Sequence, residues 1–138
     1  MMSMTSKMMD AAMTMQGMDM MAMNEMIESC SACEQACTVC ADSSMSMEGM
    51  ARCASMCMDC ADMCNTMMRA MLRPSGYDPM SMMAMMQACM TMCQACADEC
   101  MKHAEMSEQC AMCAQACQQC ADACKAMMDS MKSMMPAE

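Results

Sequence analysis

Sulfur-bearing residues recur at steps of three and four in four separate stretches of this chain. The first is Cys30, Cys33, Cys37, Cys40, and the second is Cys53, Cys57, Cys60, Cys64. The third is Cys89, Cys93, Cys96, Cys100, and the fourth is Cys110, Cys113, Cys117, Cys120, Cys124. Alternating threes and fours mark the inward positions of a heptad, and so one face of an α-helix. The acidic residues Glu25, Glu28, Asp42, Asp59, Asp62, Asp98, Glu99 and Asp122 lie off the cysteine positions and read as solvated outer faces. Ala fills many of the other positions, which favours helix and lets helices approach closely.

The spaces between blocks carry stop and start signals. Asp42-Ser43-Ser44 and Gly49 predict a turn before the second helix. Arg73-Pro-Ser-Gly-Tyr-Asp-Pro79 is the clearest break, with Asp78 placed to cap and Pro79 suited to the first helical position. Ser107 is the candidate cap of the fourth helix. Connections this short make neighbouring helices antiparallel. The prediction is an all-α, antiparallel, up-down-up-down four-helix bundle over residues 19–138. Residues 1–18 form a Met-rich N-terminal arm or short helix.

Composition decides what fills such a bundle. Of 138 residues, 57% are hydrophobic, yet there is one Ile (Ile27), one Val (Val39), one Leu (Leu72), one Tyr (Tyr77), and no Phe or Trp. The chain carries 36 Met and 17 Cys, so the interior is mainly sulfur. Met is flexible and fills space without specifying a shape. A core of this kind is loose until something binds the sulfurs. The net charge of −10 argues against nucleic acid, whose phosphates need a basic face. No unbroken apolar run is long enough for a membrane span. An odd number of cysteines cannot pair completely within one chain. The start, Met1-Met2-Ser3-Met4-Thr5-Ser6-Lys7, lacks the features of a secretory signal, which favours the reducing cytoplasm. An exported protein whose leader is missing from this sequence is the alternative.

Antiparallel register stacks the blocks. Cys40, Cys53, Cys100 and Cys110 share one end. Cys37, Cys57, Cys96 and Cys113 follow, then Cys33, Cys60, Cys93 and Cys117, then Cys30, Cys64, Cys89 and Cys120. At 1.5 Å per residue this is a thiol-lined tube roughly 15 Å long. The rhythm continues in Met23 and Met26, Met67 or Met68 with Met71, Met82 with Met85 or Met86, and Met127 or Met128 with Met131. One half of the tube is therefore thiol and the other thioether. The opposite end carries Met47, Met50, Met106 and the only histidine, His103.

Thiolate and thioether are soft ligands that select Cu(I). One monovalent ion per thiolate cancels a charge that would otherwise be prohibitive to bury, giving on the order of one Cu(I) per thiol, bound with proton release. The expected metal ligands are all seventeen cysteines, with His103, Met26, Met50 and Met106 as weak ligands for loading and release. So many ions in one chain mean storage, with no enzyme activity. A copper chaperone handing over single ions is the first alternative, and general detoxification of Zn or Ag the second. Zinc sites form separate closed tetrahedra, which a continuous lining does not resemble. The fourth block has a superficial ferredoxin spacing, but Ala121 stands where Pro would follow. A disulfide scaffold fails on parity and on the geometry of same-face neighbours. The Met clusters read first as core filling, and the same residues can also serve as ligands. His103 reads equally as a polar helix-end residue and as a ligand or gate.

These residues resemble the bacterial copper storage proteins, most closely the cytosolic branch, from about Cys30 to Met128. The stretches that carry the resemblance are the first cysteine block, Asp59-Cys60-Ala61-Asp62, Ser75-Gly76-Tyr77-Asp78, Cys96-Ala97-Asp98-Glu99-Cys100 with His103-Ala104, and Cys110-x-x-Cys113-Ala114-Gln115-Ala116-Cys117. The resemblance implies Cu(I) held by core thiolates, assembly as a homotetramer, and ion passage through one end of each bundle. Two departures stand out. Ser107 and Gln109 lie where related chains often carry further histidines, and Met replaces the usual Leu, Ile or Val. The pattern Met13, Met15, Met18, Met20, Met23 is similar to the Met-rich arms of exported copper proteins.

Overall fold

A computed structural model describes residues 3–12 and 18–133, and among them the regular elements are all helical. A short helix α1 (Met4–Ala12) precedes α2 (Met20–Met45), α3 (Ala51–Met71), α4 (Pro79–Met101) and α5 (Glu108–Lys132), with a 3-10 turn at Pro74–Gly76. The long helices are ordered α2, α3, α4, α5 around one axis, and α5 closes back onto α2. This is the predicted bundle. Of the N-terminal methionines singled out above, Met13 and Met15 lie outside the described residues.

The caps set the helix starts. Asp78 accepts a hydrogen bond from the Ser81 N–H at 3.2 Å, with Pro79 at the first position of α4. Ser107 accepts from the Cys110 N–H at 3.2 Å. Asp19, which the sequence reading passed over, caps α2 by accepting from the Ala22 N–H at 3.0 Å. Each such cap is worth about 1 kcal/mol. They also fix where along each helix the inward face begins, and so the levels of the sulfurs.

One boundary differs from expectation. The turn predicted at Asp42-Ser43-Ser44 is instead the last turn of α2, which runs on to Met45. The serines are satisfied inside the helix. Ser43 Oγ donates to the Cys40 carbonyl at 3.1 Å, and buried Ser44 lies against Cys40 with Oγ 3.9 Å from Sγ. Hydroxyls that bond backward in this way do not break the helix. The chain reverses further on, at Gly49, whose φ of +78° suits glycine.

The core beyond the cysteines is methionine. Met23, Met26, Met67, Met71, Met86 and Met127 are fully buried, and Met82, Met128 and Met131 nearly so. The ambiguous pairs thus resolve in favour of Met67 and Met86, while Met127 and Met128 are both inside. Tyr77 fastens the α3–α4 connection to this end. Its hydroxyl bonds the Met71 carbonyl and lies 3.5 Å from Met23 Sδ. Burial pushes its pKa up to about 12. Helix α1 packs on the outside of α2, with Met9 buried and Asn24 Nδ2 donating to Asp10 Oδ1 at 3.2 Å.

Candidate metal centre

All seventeen cysteines are free thiols, and each is 0–1% exposed. They face one another across the bundle axis at the expected levels. In the first layer the Sγ atoms of Cys40 and Cys110 are 3.7 Å apart, those of Cys53 and Cys100 3.8 Å, and those of Cys53 and Cys110 3.9 Å. In the second, Cys57 meets Cys96 at 3.7 Å and Cys37 meets Cys113 at 3.7 Å. In the third, Cys33 meets Cys117 at 3.7 Å and Cys60 meets Cys93 at 3.8 Å. In the fourth, Cys30 meets Cys120 at 3.7 Å, and Cys64 meets Cys120 at 3.9 Å.

The layers also touch one another. Cys37 and Cys117 approach to 3.6 Å, Cys57 and Cys100 to 3.7 Å, and Cys64 and Cys93 to 3.7 Å. Sets of four thiols whose sulfurs all lie within 4.8 Å occur both within a layer, as Cys30, Cys64, Cys89 and Cys120, and across two, as Cys33, Cys60, Cys64 and Cys93. Separate metal sites would leave gaps between such sets. Here each thiol belongs to a continuous lattice, so an ion held at one level has sulfur neighbours at the next.

Electrostatics explains why the lattice wants monovalent cations. Burial raises the Cys53 thiol above its ordinary value, and the neighbouring Cys100, Cys57 and Cys110 raise it further by charge repulsion. Burial likewise raises Cys110. Without a cation these thiols stay protonated. A soft Cu(I) displaces the proton, leaving a neutral metal–thiolate pair that an apolar interior tolerates.

The tube matches one known family. The sequence profile of the copper storage proteins matches residues 19–129. The chain belongs to the copper storage protein family. Copper storage is its function and copper its cargo, held through the cysteines of the bundle core. The copper storage protein of Streptomyces lividans loaded with 10 copper equivalents is 39% identical, with a TM-score of 0.86 over 91% of this chain and 98% of that one. A histidine-to-alanine variant of that protein is 43% identical, with a TM-score of 0.80 over 83% of this chain and 98% of that one. A five-copper structure of a cytosolic copper storage protein from the same organism is 44% identical, with a TM-score of 0.76 over 79% of this chain and 93% of that one. A search of curated protein sequences found no match.

The other predicted ligands of this copper storage protein divide between the two ends. Met50 is 1% exposed and sits just before α3, three residues from Cys53. His103 is half-buried one turn beyond Cys100, whereas Met106 is 71% exposed on the connection to α5. Met26 is fully buried at the far, thioether end.

Glu99 corrects the sequence reading. It was expected on a solvated face, but its side chain is 7% exposed. Oε1 accepts from Arg52 Nε at 3.1 Å and from Lys102 Nζ at 3.2 Å, and Oε2 lies 3.1 Å from His103 Nε2. Burial opposes ionisation, but the bonds from His103, Lys102 and Arg52 outweigh it and hold the carboxyl below its usual range. The available signal was the gathering of side-chain nitrogen donors beside the first thiol layer. Arg52 precedes Cys53 on one helix, while Lys102 and His103 follow Cys100 on another.

Proposed function

We propose that this chain stores on the order of one Cu(I) per thiol, with all seventeen cysteines as ligands, and loads them through the end that carries His103. The observation that carries the reading is the unbroken run of sulfur contacts from Cys40 to Cys120. Bridging thiolates can pass an ion from level to level along such a run. A carrier that hands over single ions needs one or two accessible thiols, and every thiol here is buried. The chain acts on no substrate. Its cargo enters and leaves chemically unchanged.

At the loading end Glu99 holds His103 by Nε2, which leaves Nδ1 for an incoming ion. Exposed Met106 and buried Met50 belong to the same end and supply exchangeable thioethers there. The protein works in the cytosol as a homotetramer of such bundles, with residues 1–18 as an arm attached to the bundle that begins at residue 19. A cytosolic relative supports the first of these, and the reducing compartment keeps the thiols free.

Anaerobic titration with Cu(I) in the presence of a chromogenic chelator tests the store. The expected result is on the order of ten or more ions withheld per chain. One or two would end the reading. Sedimentation of the loaded protein tests the tetramer. Replacing His103 and Met106 together is expected to slow loading while leaving capacity intact.

A further inference from the structure

Six methionines on the long helices belong to neither the core nor the sulfur axis. Met21 and Met45 lie on α2, Met58 on α3, Met80 and Met101 on α4, and Met112 on α5, and they are 55–85% exposed. An amphipathic helix ordinarily carries polar or charged residues at such positions. Side chains this exposed add little to stability, so packing does not account for them. Three of them adjoin a buried thiol in sequence: Met58 follows Cys57, Met101 follows Cys100, and Met112 precedes Cys113. The sulfur that meets solvent is thus thioether, and the thiols are all inside.

The two kinds of sulfur differ in what oxidation does to them. A thiol taken to sulfinic or sulfonic acid is lost as a soft ligand. A thioether takes one oxygen atom to become a sulfoxide, which dedicated reductases reverse. The sulfoxide is polar and would disrupt a core, but on an outer face it only adds a solvated group. We propose that Met21, Met45, Met58, Met80, Met101 and Met112 are sacrificial oxidation sites that spare the buried thiols from oxygen-atom donors of the hypohalous acid class. With hypochlorous acid, a sulfur–oxygen bond forms and the oxygen–chlorine bond breaks. The sulfur gives up two electrons, and chloride and a proton leave to water. This activity needs no copper and goes beyond the storage reading.

Stepwise addition of limiting hypochlorous acid to the full-length, copper-free protein tests it. Sulfoxide is mapped by peptide mass spectrometry, and thiols are counted after denaturation. The six exposed methionines are expected to gain oxygen first, with all seventeen thiols and the buried Met23, Met71 and Met127 still intact. Replacing the six with Gln, which keeps the surface polar and takes up no oxygen, should bring thiol loss forward by about six equivalents. A sixfold Met→Leu variant should show the same advance, and circular dichroism checks that both variants keep their helices. Methionine sulfoxide reductase should restore the wild type's tolerance of a second dose and do nothing for the Gln variant. Thiol loss from the first equivalent in the wild type, or at an unchanged dose in both variants, would overturn the proposal. The thiols are counted without metal, so either result leaves the storage reading to the Cu(I) titration.

Discussion

The two halves of this tube share one scaffold and one degree of burial, yet differ in a single chemical property. Cys33, Cys60, Cys93 and Cys117 lie in the thiol half. Met23, Met71, Met82 and Met127 occupy equivalent heptad positions in the thioether half, and residues of both sets are almost completely buried. Thiols ionise and thioethers do not. The thiol half can therefore exchange protons for monovalent metal, whereas the all-thioether layers can only pack. Backbone geometry places sulfur at the axis in both halves. Charge decides which half becomes a vessel and which remains a core.

The largest effect that would sharpen this contrast is on capacity. Replacing Cys33, Cys60, Cys93 and Cys117 with Ala is expected to remove roughly four Cu(I) from the store. Replacing Met23, Met71, Met82 and Met127 with Leu is expected to leave capacity unchanged. Elemental analysis after anaerobic loading distinguishes the two. Equal losses from both variants would erase the distinction drawn here.

Next in size is the packing role of the thioether half. Met71→Ala removes a fully buried side chain and should cost about 2–5 kcal/mol of apo stability by urea unfolding. Met71→Leu should stay within about 1.5 kcal/mol. A harmless Met71→Ala would mean that this half is not packed as a core.

Acidity should act on the two halves differently. Thiols raised by burial, such as Cys53 and Cys110, are protonated at neutral pH, so a Cu(I) bound by one of them must displace a proton. Affinity should then fall about tenfold per pH unit lowered for each proton displaced. A chelator competition series across pH measures the slope. A flat series would mean that neutral thiols or thioethers hold the metal.

Glu99 gives a smaller effect of related origin. Its folded pKa lies below the unfolded value. The stability it contributes is therefore present above the unfolded carboxylate pKa and is lost as pH falls through the lower, folded one. Glu99→Gln should cost about 1–3 kcal/mol at neutral pH, with the deficit closing in acid. Urea midpoints at several pH values check this. The smallest effect is that of Met106→Ala, which should leave stability within about 0.5 kcal/mol because the side chain is 71% exposed. A stopped-flow loading trace should nevertheless slow, and an unchanged rate would place the entrance at another point.

Much of the site was legible in one dimension because its rule is periodic. Steps of three and four between cysteines identify a helical face, and four such faces joined by short connections leave few ways to meet. The cross-axis pairs Cys40–Cys110, Cys37–Cys113, Cys33–Cys117 and Cys30–Cys120 follow from that alone. Local chemistry likewise announced the caps at Asp78 and Ser107. The sequence was less informative where a residue's role depends on its neighbours in space. Ser43 and Ser44 look like a turn in isolation, but their hydroxyls engage Cys40 one turn back and the helix continues. Glu99 looks like any outer-face carboxylate until Arg52 arrives from α3.

What the sequence by itself determined is the sulfur axis: which residues point inward, at what spacing, and with what appetite for a soft monovalent ion. These follow from the helical repeat and from side-chain chemistry, and both are local. Only the tertiary structure decided the registration of the four helices to within a single level. That registration joins the thiol layers into one lattice and buries Glu99 against His103. Distances between sulfurs on different helices depend on caps, connections and packing acting together, and no single stretch of the chain contains them.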